Sequence, residues 1–171
     1  QFRLSRENIN EFKNSKFKNY ILEELVNFNK EISVIVCRSQ KDIITYPPVE
    51  NIHKDSILRE TIFPANISHN VKENAISIAK SIANELDLEG ILAVEMFVMK
   101  NNTVLVNELA PRPHNSGHWT MDFCKTSQFD NLIYSIFYGN TKKPNPLKGC
   151  RMVNVIGNDY SKKDNYQKKY N

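Results

Sequence analysis

"ILAVEMFVMKNNTVLVNELAPRPHNSGHWT", residues 91–120, holds two apolar runs separated by Asn101-Asn102, then a stretch of dense polar chemistry. Asn tolerates the positive φ of a two-residue hairpin turn, so Asn101-Asn102 predicts two antiparallel strands. In that register Lys100 faces Thr103, Phe97 faces Val106 and Glu95 faces Glu108. Period-2 alternation then puts Glu95 and Glu108 on one face, with Cβ atoms roughly 4.5–5.5 Å apart. Two carboxylates that close repel, and the surrounding Val94, Phe97, Val98, Leu105 and Val106 make charge harder to hold, because burial disfavours ions. A shared proton or a divalent cation would relieve this. Mg²⁺ takes oxygen ligands and commonly binds through one or two carboxylates plus substrate phosphates. The competing arrangement is a one-residue bulge that turns one Glu toward water. Strict alternation also sends Asn107 to the face opposite Glu108, unless the strand twists or bulges there.

The loop that follows concentrates donors. Arg112, between Pro111 and Pro113, has little backbone freedom and suits a phosphate or carboxylate. His114, Asn115, Ser116 and His118 add polar groups, and Gly117 permits close backbone approach. The two histidines are candidate metal ligands or acid–base groups. Trp119 and Cys124 read as core, and His69 as surface. His53 is open between a structural and a functional role.

Outward from this stretch, the 171 residues fit one domain with an appendage. Hydrophobic residues make up 40% and charged residues 25%, an ordinary globular balance with a core to bury. The net charge of +4 gathers partly in the tail "YSKKDNYQKKYN", and no Arg-rich stripe interleaved with aromatics argues for nucleic acid. Three scattered cysteines argue against a disulfide framework or zinc cluster, and for a cytoplasmic setting. No apolar run approaches the roughly 20 residues of a membrane span.

"KEISVIVCRS" reads as a strand, "IITYPPVEN" as its partner ended by Pro47-Pro48, and "SILRETIF" as another ended by Pro64. Val71, Ala75, Ile78, Ala79, Ile82 and Leu86 recur at helical spacing, and Asn70 with Glu73 predicts a capping box. A second helix is predicted over 126–138, with Phe129, Leu132, Ile133, Ile136 and Phe137 as its apolar side and Gly139 at its end. "NTKKPNPLKGC" reads as a linker, and "RMVNVIGND" as a lone strand from a further domain. The pattern is α+β.

At "NELAPRPHNSGHWT" the chain resembles the N5-carboxyaminoimidazole ribonucleotide synthetases, ATP-grasp enzymes of purine biosynthesis. The likeness runs over about residues 1–157 and includes "QFRL", "ILEELVNFNKEISVIV", "YPPVENIHKDSILR", "LEGILAVEMFV", "TSQF" and "MVNVIG". It implies an ATP-grasp fold fragment, a mostly antiparallel sheet with packed helices and the start of a C-terminal domain. Residues 1–25 would end the first subdomain and form the hinge, 26–139 the second subdomain, and 140–171 a linker with the first strand beyond.

The resemblance also implies roles. Gln1 would close the phosphate-covering loop. Glu23, Glu24, Leu25 and Val26 would lie along the adenine of ATP. Glu31 would take the ribose hydroxyls, with His53 and Asn107 at the nucleotide. Glu95 and Glu108 would hold Mg²⁺, or Mn²⁺ in its place. Arg112 and His114 would be catalytic, holding bicarbonate or carboxyphosphate, and Asn115, Ser116 and His118 would shape the substrate side toward aminoimidazole ribonucleotide. The implied reaction is ATP-dependent carboxylation, in a homodimer when full-length, without nucleic acid or membrane partners. The family's ribonucleotide-binding domain and glycine-rich loop are not in the sequence, so the chain is expected to be inactive alone. A formate-using purine transformylase and a non-catalytic nucleotide-binding module are the alternatives.

Overall fold

The computed structural model describes residues 23–157, with residues 10, 21 and 161 besides. Gln1 lies outside them. Among the described residues, strands β1 (Lys30–Arg38), β2 (Ile43–Thr45), β3 (Val49–Lys54) and β4 (Ile57–Phe63) precede helix α1 (His69–Glu85). Then come β5 (Gly90–Val98), β6 (Val104–Ala110), a 3-10 turn at Asn115–Gly117, α2 (Thr120–Phe123), α3 (Gln128–Tyr138) and β7 (Cys150–Val153). The strands form one sheet in the order β6-β5-β1-β3-β4-β7, with β2 also paired to β1. Every pairing is antiparallel, and no described helix is long and apolar enough to cross a membrane.

β1 is central, buried on both faces from Ile32 to Cys37, which is why it reads as an unbroken apolar run. β2 and β3 share one of its edges: Val36–Arg38 pair with β2, and Glu31–Ser33 with β3. Pro47 and Pro48 stand between them, since proline has no N–H to give to a ladder. The prolines therefore interrupt pairing without ending it. The chain resumes at Val49 and turns back through Asp55 and Ser56, both at positive φ (54° and 60°), into β4.

α1 covers one face. Val71, Ala75, Ala79 and Ala83 form a stripe against Ile32, Val34, Val36, Leu92, Val94 and Met96. Small side chains bring helix and sheet close, and each fully buried Val, Ile or Leu contributes roughly 1.5–3 kcal/mol. The helix is capped by Ser68, whose side chain accepts from the Val71 N–H, instead of by the Asn70–Glu73 box. Ser68 has extended backbone (φ −66°, ψ 157°), the geometry a cap needs, while Asn70 already lies inside the helix.

α3 and Trp119 lie against the other face, where Ile35, Cys37, Tyr46, Val49, Ile91 and Ala93 cluster with Trp119 and Cys124. Ser127 and Asp130 make a reciprocal capping box, and Gly139 ends α3 at φ 60°. The helix is turned opposite to its sequence pattern. Gln128, Asn131 and Ser135 are buried, while Phe129, Ile133, Ile136 and Phe137 are exposed, Phe137 at 74%. Leu132 alone of the predicted apolar set packs into the cluster. The buried polar groups explain this orientation. Asn131 donates to the Tyr46 hydroxyl (2.7 Å) and the Lys142 carbonyl (2.9 Å), and accepts from the Lys142 N–H (2.8 Å). Gln128 does the same for the backbone of His114. Loop backbone without a strand or helix partner still needs hydrogen bonds, and the polar side of α3 supplies them.

β7 pairs along β4, Cys150 with Phe63 through Val153 with Glu60. Residues 150–153 are thus a strand of this sheet, not a lone one: β4 would otherwise expose an unpaired edge.

Candidate active site

The face under α3 changes character along β1. Ile35 and Cys37 belong to the apolar cluster; Ser33 and Glu31, two and four residues earlier on the same face, begin a polar half. Across the sheet Ser33 is paired with Glu95 of β5, and Glu31 with Asn51 of β3, which is paired in turn with Thr61 of β4.

Glu95 is paired with Glu108 of β6, as alternation predicts, but by a different route. The turn spans 99–103: Met99 N–H donates to Thr103 O (2.8 Å), and Asn102 N–H to Met99 O (2.9 Å). Asn102 takes the positive φ of 66°. Val98 then faces Val104 and Phe97 faces Leu105, one residue off the two-residue register that paired Phe97 with Val106 and Lys100 with Thr103. A bulge at Asn107 inserts the extra residue and restores the Glu95–Glu108 pair. The bulge of the competing arrangement is therefore real, and Glu108 is exposed, yet its backbone stays opposite Glu95. It also breaks strict alternation at Asn107, because a bulged strand opposes two residues to one and re-aims its side chains.

Glu95 is mostly buried, and Glu108 and Asn107 are exposed. Burial pushes the Glu95 carboxyl above its ordinary range; Glu108 and Glu31 add to this, while His53 and Arg112 oppose it. A group held this way is short of positive charge. Among the described residues, no three His, Cys, Asp or Glu side chains gather to enclose a metal by themselves. Two oxygen donors fit a hard cation whose other ligands come from phosphate and water.

The loop after β6 folds back onto this pair. His114 Nε2 lies 3.2 Å from Glu95 Oε1. Burial lowers the His114 pKa, with Arg112 acting the same way, which favours the neutral ring at this contact. Gln128 clamps the His114 backbone from both sides, accepting from its N–H (3.0 Å) and donating to its carbonyl (2.8 Å). Gly117 makes room for that clamp: a Cβ there would stand 2.5 Å from Gln128 Oε1. Arg112 is exposed and donates to the Pro113 carbonyl (3.1 Å).

His53 Nδ1 pairs with Glu31 Oε2. This contact raises the His53 pKa more than burial lowers it. Ser116 joins the site through its hydroxyl, 2.9 Å from His114 Nδ1. Asn115 Oδ1 is buried without a protein partner. The His118 ring lies 5.8 Å from Phe129, its charge acts to lower the His114 pKa, and burial lowers its own. Glu23, Glu24 and Leu25 are exposed and Val26 half-buried, in an irregular segment leading to Phe28, which stacks on Phe97 at 4.4 Å. Sequence reading missed Ser33, Asn51, Thr61 and Gln128. The signal for Ser33 was a hydroxyl inside "ISVIV"; the others have no local mark.

A family model for the ATP-grasp domain matches residues 3–129. The chain belongs to the ATP-grasp family. An N5-carboxyaminoimidazole ribonucleotide synthase of Bacillus subtilis (strain 168) is 47% identical over 140 residues, covering 81% of this chain and 37% of that protein. A crystal structure of an N5-carboxyaminoimidazole ribonucleotide synthetase in complex with ADP superposes with a TM-score of 0.77 at 48% identity, over 78% of this chain and 36% of that one. The Aspergillus clavatus N5-carboxyaminoimidazole synthase, in complex with ADP and 5-aminoimidazole ribonucleotide, gives 0.73 at 32% identity, over 76% and 35%. This ATP-grasp chain thus spans little more than a third of these relatives' length. The antiparallel α+β architecture expected from its sequence is the one observed.

Proposed function

We propose that this chain is the metal- and nucleotide-holding part of an N5-carboxyaminoimidazole ribonucleotide synthase. In the complete protein, ATP would phosphorylate bicarbonate to carboxyphosphate with release of ADP, and the amine of aminoimidazole ribonucleotide would take the carboxyl group with release of inorganic phosphate. The reading is carried by one observation: Glu95 and Glu108 are paired across two strands with His114 folded onto the first of them. Relatives of that name, one with ADP and the ribonucleotide bound, support it.

Glu95 and Glu108 would hold Mg²⁺, which when bound neutralises charge on the transferring phosphoryl group. Phosphoryl transfer needs positioning and charge stabilisation more than covalent help. Glu31, whose Oε2 pairs with His53, would take ribose hydroxyls with its other carboxylate oxygen. Residues 23–26, leading into the Phe28–Phe97 stack, would border the base. Arg112 would hold the bicarbonate-derived anion away from water, joined by the His114 Nε2–H once the Glu95 carboxylate is engaged by Mg²⁺, with Asn115 and Ser116 beside it. His118, its ring 5.8 Å from Phe129, would help shape the substrate side.

The test is calorimetry with Mg-ADP on the complete protein, unaltered and as Glu108→Ala, with turnover on bicarbonate against formate. The expected result is nucleotide binding that weakens at least about tenfold in the variant, a loss of roughly 1.4 kcal/mol, and turnover with bicarbonate only. Formate-dependent turnover would move the chain to a transformylase; equal Mg-ADP binding by both proteins would remove the metal site.

A further inference from the structure

We propose that a buried chain of hydrogen bonds, running from Thr61 through Asn51, Ser33 and Ser116, fixes His114 as the tautomer protonated on Nε2, so that Ser33, Asn51 and Thr61 are positioning residues of the site. Thr61 Oγ1 donates to Asn51 Oδ1 (3.2 Å), and Asn51 Nδ2 donates to Ser33 Oγ (2.9 Å). Ser33 Oγ donates to Ser116 Oγ (2.8 Å), and the Ser116 hydroxyl meets His114 Nδ1 (2.9 Å). All four relay side chains are shut off from water, Asn51 at 4% exposure and the other three at 0%. They come from β4, β3, β1 and the loop, so the relay crosses the sheet.

The direction is set at the ring end. An amide NH₂ only donates, while a hydroxyl has one proton and two lone pairs, so Ser33, accepting from Asn51, is free to give its proton to Ser116 (2.8 Å). Ser116 then gives its own to His114 Nδ1, and the ring presents a lone pair on Nδ1 and a proton on Nε2. Two contacts outside the relay select this direction over the opposite one. The Ser116 backbone N–H also points at Nδ1 (3.3 Å), which needs a lone pair there. Glu95 Oε1, 3.2 Å from Nε2, needs a proton from the ring when ionised. Reversing the Asn51 amide would reverse every step and set a lone pair of Nε2 against the carboxylate.

His114 is thus a hydrogen-bond donor toward the carboxylate side of the site, neither a base nor, through Nε2, a metal ligand. Its consequence for catalysis rests on the carboxylation reading: a neutral N–H donor can hold a bicarbonate or carboxyphosphate oxygen without removing a proton from it. The tautomer itself does not depend on that reading.

The test is long-range ¹H–¹⁵N correlation spectroscopy of the histidine rings at neutral pH, in the complete protein with ¹⁵N-labelled histidine, with His114 assigned by its loss in His114→Gln. The expected spectrum shows Nε2 protonated and Nδ1 bare. An ionised Asp at position 51 can only accept, so Asn51→Asp should drive the ring to the Nδ1-protonated form. Ser33→Ala, which keeps the smaller volume of the site, should give a mixture of tautomers and lower kcat about tenfold, as loss of an orienting partner commonly does, with KM for ATP unchanged. An Nδ1-protonated His114 in the unaltered protein would overturn the proposal. So would an unshifted tautomer in a folded Ser33→Ala. A protein that lacks bicarbonate-dependent turnover but shows the expected tautomers would sink the carboxylation reading and leave the relay standing.

Discussion

On one face of β1, Ile32, Val34 and Val36 meet the Val71, Ala75, Ala79 and Ala83 stripe of α1 in a single apolar cluster. On the other, Ile35 and Cys37 are followed toward the strand's start by Ser33 and Glu31, and the covering helix turns Gln128, Asn131 and Ser135 inward. Both faces are buried, yet by different means. The first gains from removing apolar surface from water, a term indifferent to orientation. The second must satisfy each polar group with a partner of the right kind, since an unpaired buried donor or acceptor costs about 1–3 kcal/mol. A non-directional face holds the fold; a directional face fixes where single protons and carboxylate oxygens sit.

If the two faces divide labour this way, substitutions should separate stability from chemistry. Leu92, fully buried on the α1 face, is the strongest test of the first. Leu92→Ala should cost about 2–5 kcal/mol by denaturant unfolding, with KM for substrates unchanged in whatever fraction remains folded. A large change in KM would mean that the α1 face also sets the site.

The polar face should answer in the opposite sense. Glu95→Gln keeps the shape and the acceptor oxygen for His114, but removes a carboxylate. Turnover in the complete protein should fall at least about a hundredfold, roughly 2.7 kcal/mol of barrier. Without Mg²⁺ or nucleotide, its melting temperature at neutral pH should rise. The sign follows from the raised Glu95 pKa: the folded state favours the protonated acid, so ionisation above that range destabilises it. A lower melting temperature would show that Glu95 supports the fold through its charge.

The smallest expected effect belongs to His53. Its pKa is raised by Glu31, so the stability this pair contributes is present in full below the ordinary histidine value of 6.5, and is lost as pH rises through the raised one. His53→Gln should flatten that part of the stability–pH curve, by about 1 kcal/mol or less. An unchanged curve would mean that the pair holds no charge.

The elements were legible in the sequence where period and capping carry the information. The β1 run, the α1 stripe and the extent of the helix that ends at Gly139 follow from apolar spacing and end residues; the Glu95–Glu108 pairing came out as expected because a longer turn and a bulge offset each other. The errors fell where a choice between two local options depended on distant atoms. The hairpin loop came out longer, and a bulge at Asn107 compensated for it. The Pro47-Pro48 break became a pause because β1 offers one edge to two partners. α3 faces backwards by its own pattern because the loop at His114 and the Tyr46 hydroxyl needed its amides.

The sequence by itself determined the long strands and the two long helices, the family to which the chain belongs, and that two Glu residues face each other across neighbouring strands beside a polar loop. Only the tertiary structure decided which side chains surround them. Alternation and helical period are properties of neighbours along the chain, within reach of local sterics and burial. The Thr61–Asn51–Ser33–Ser116–His114 relay joins residues up to 83 positions apart, and hydrogen-bond direction across that distance exists only once the strands are side by side.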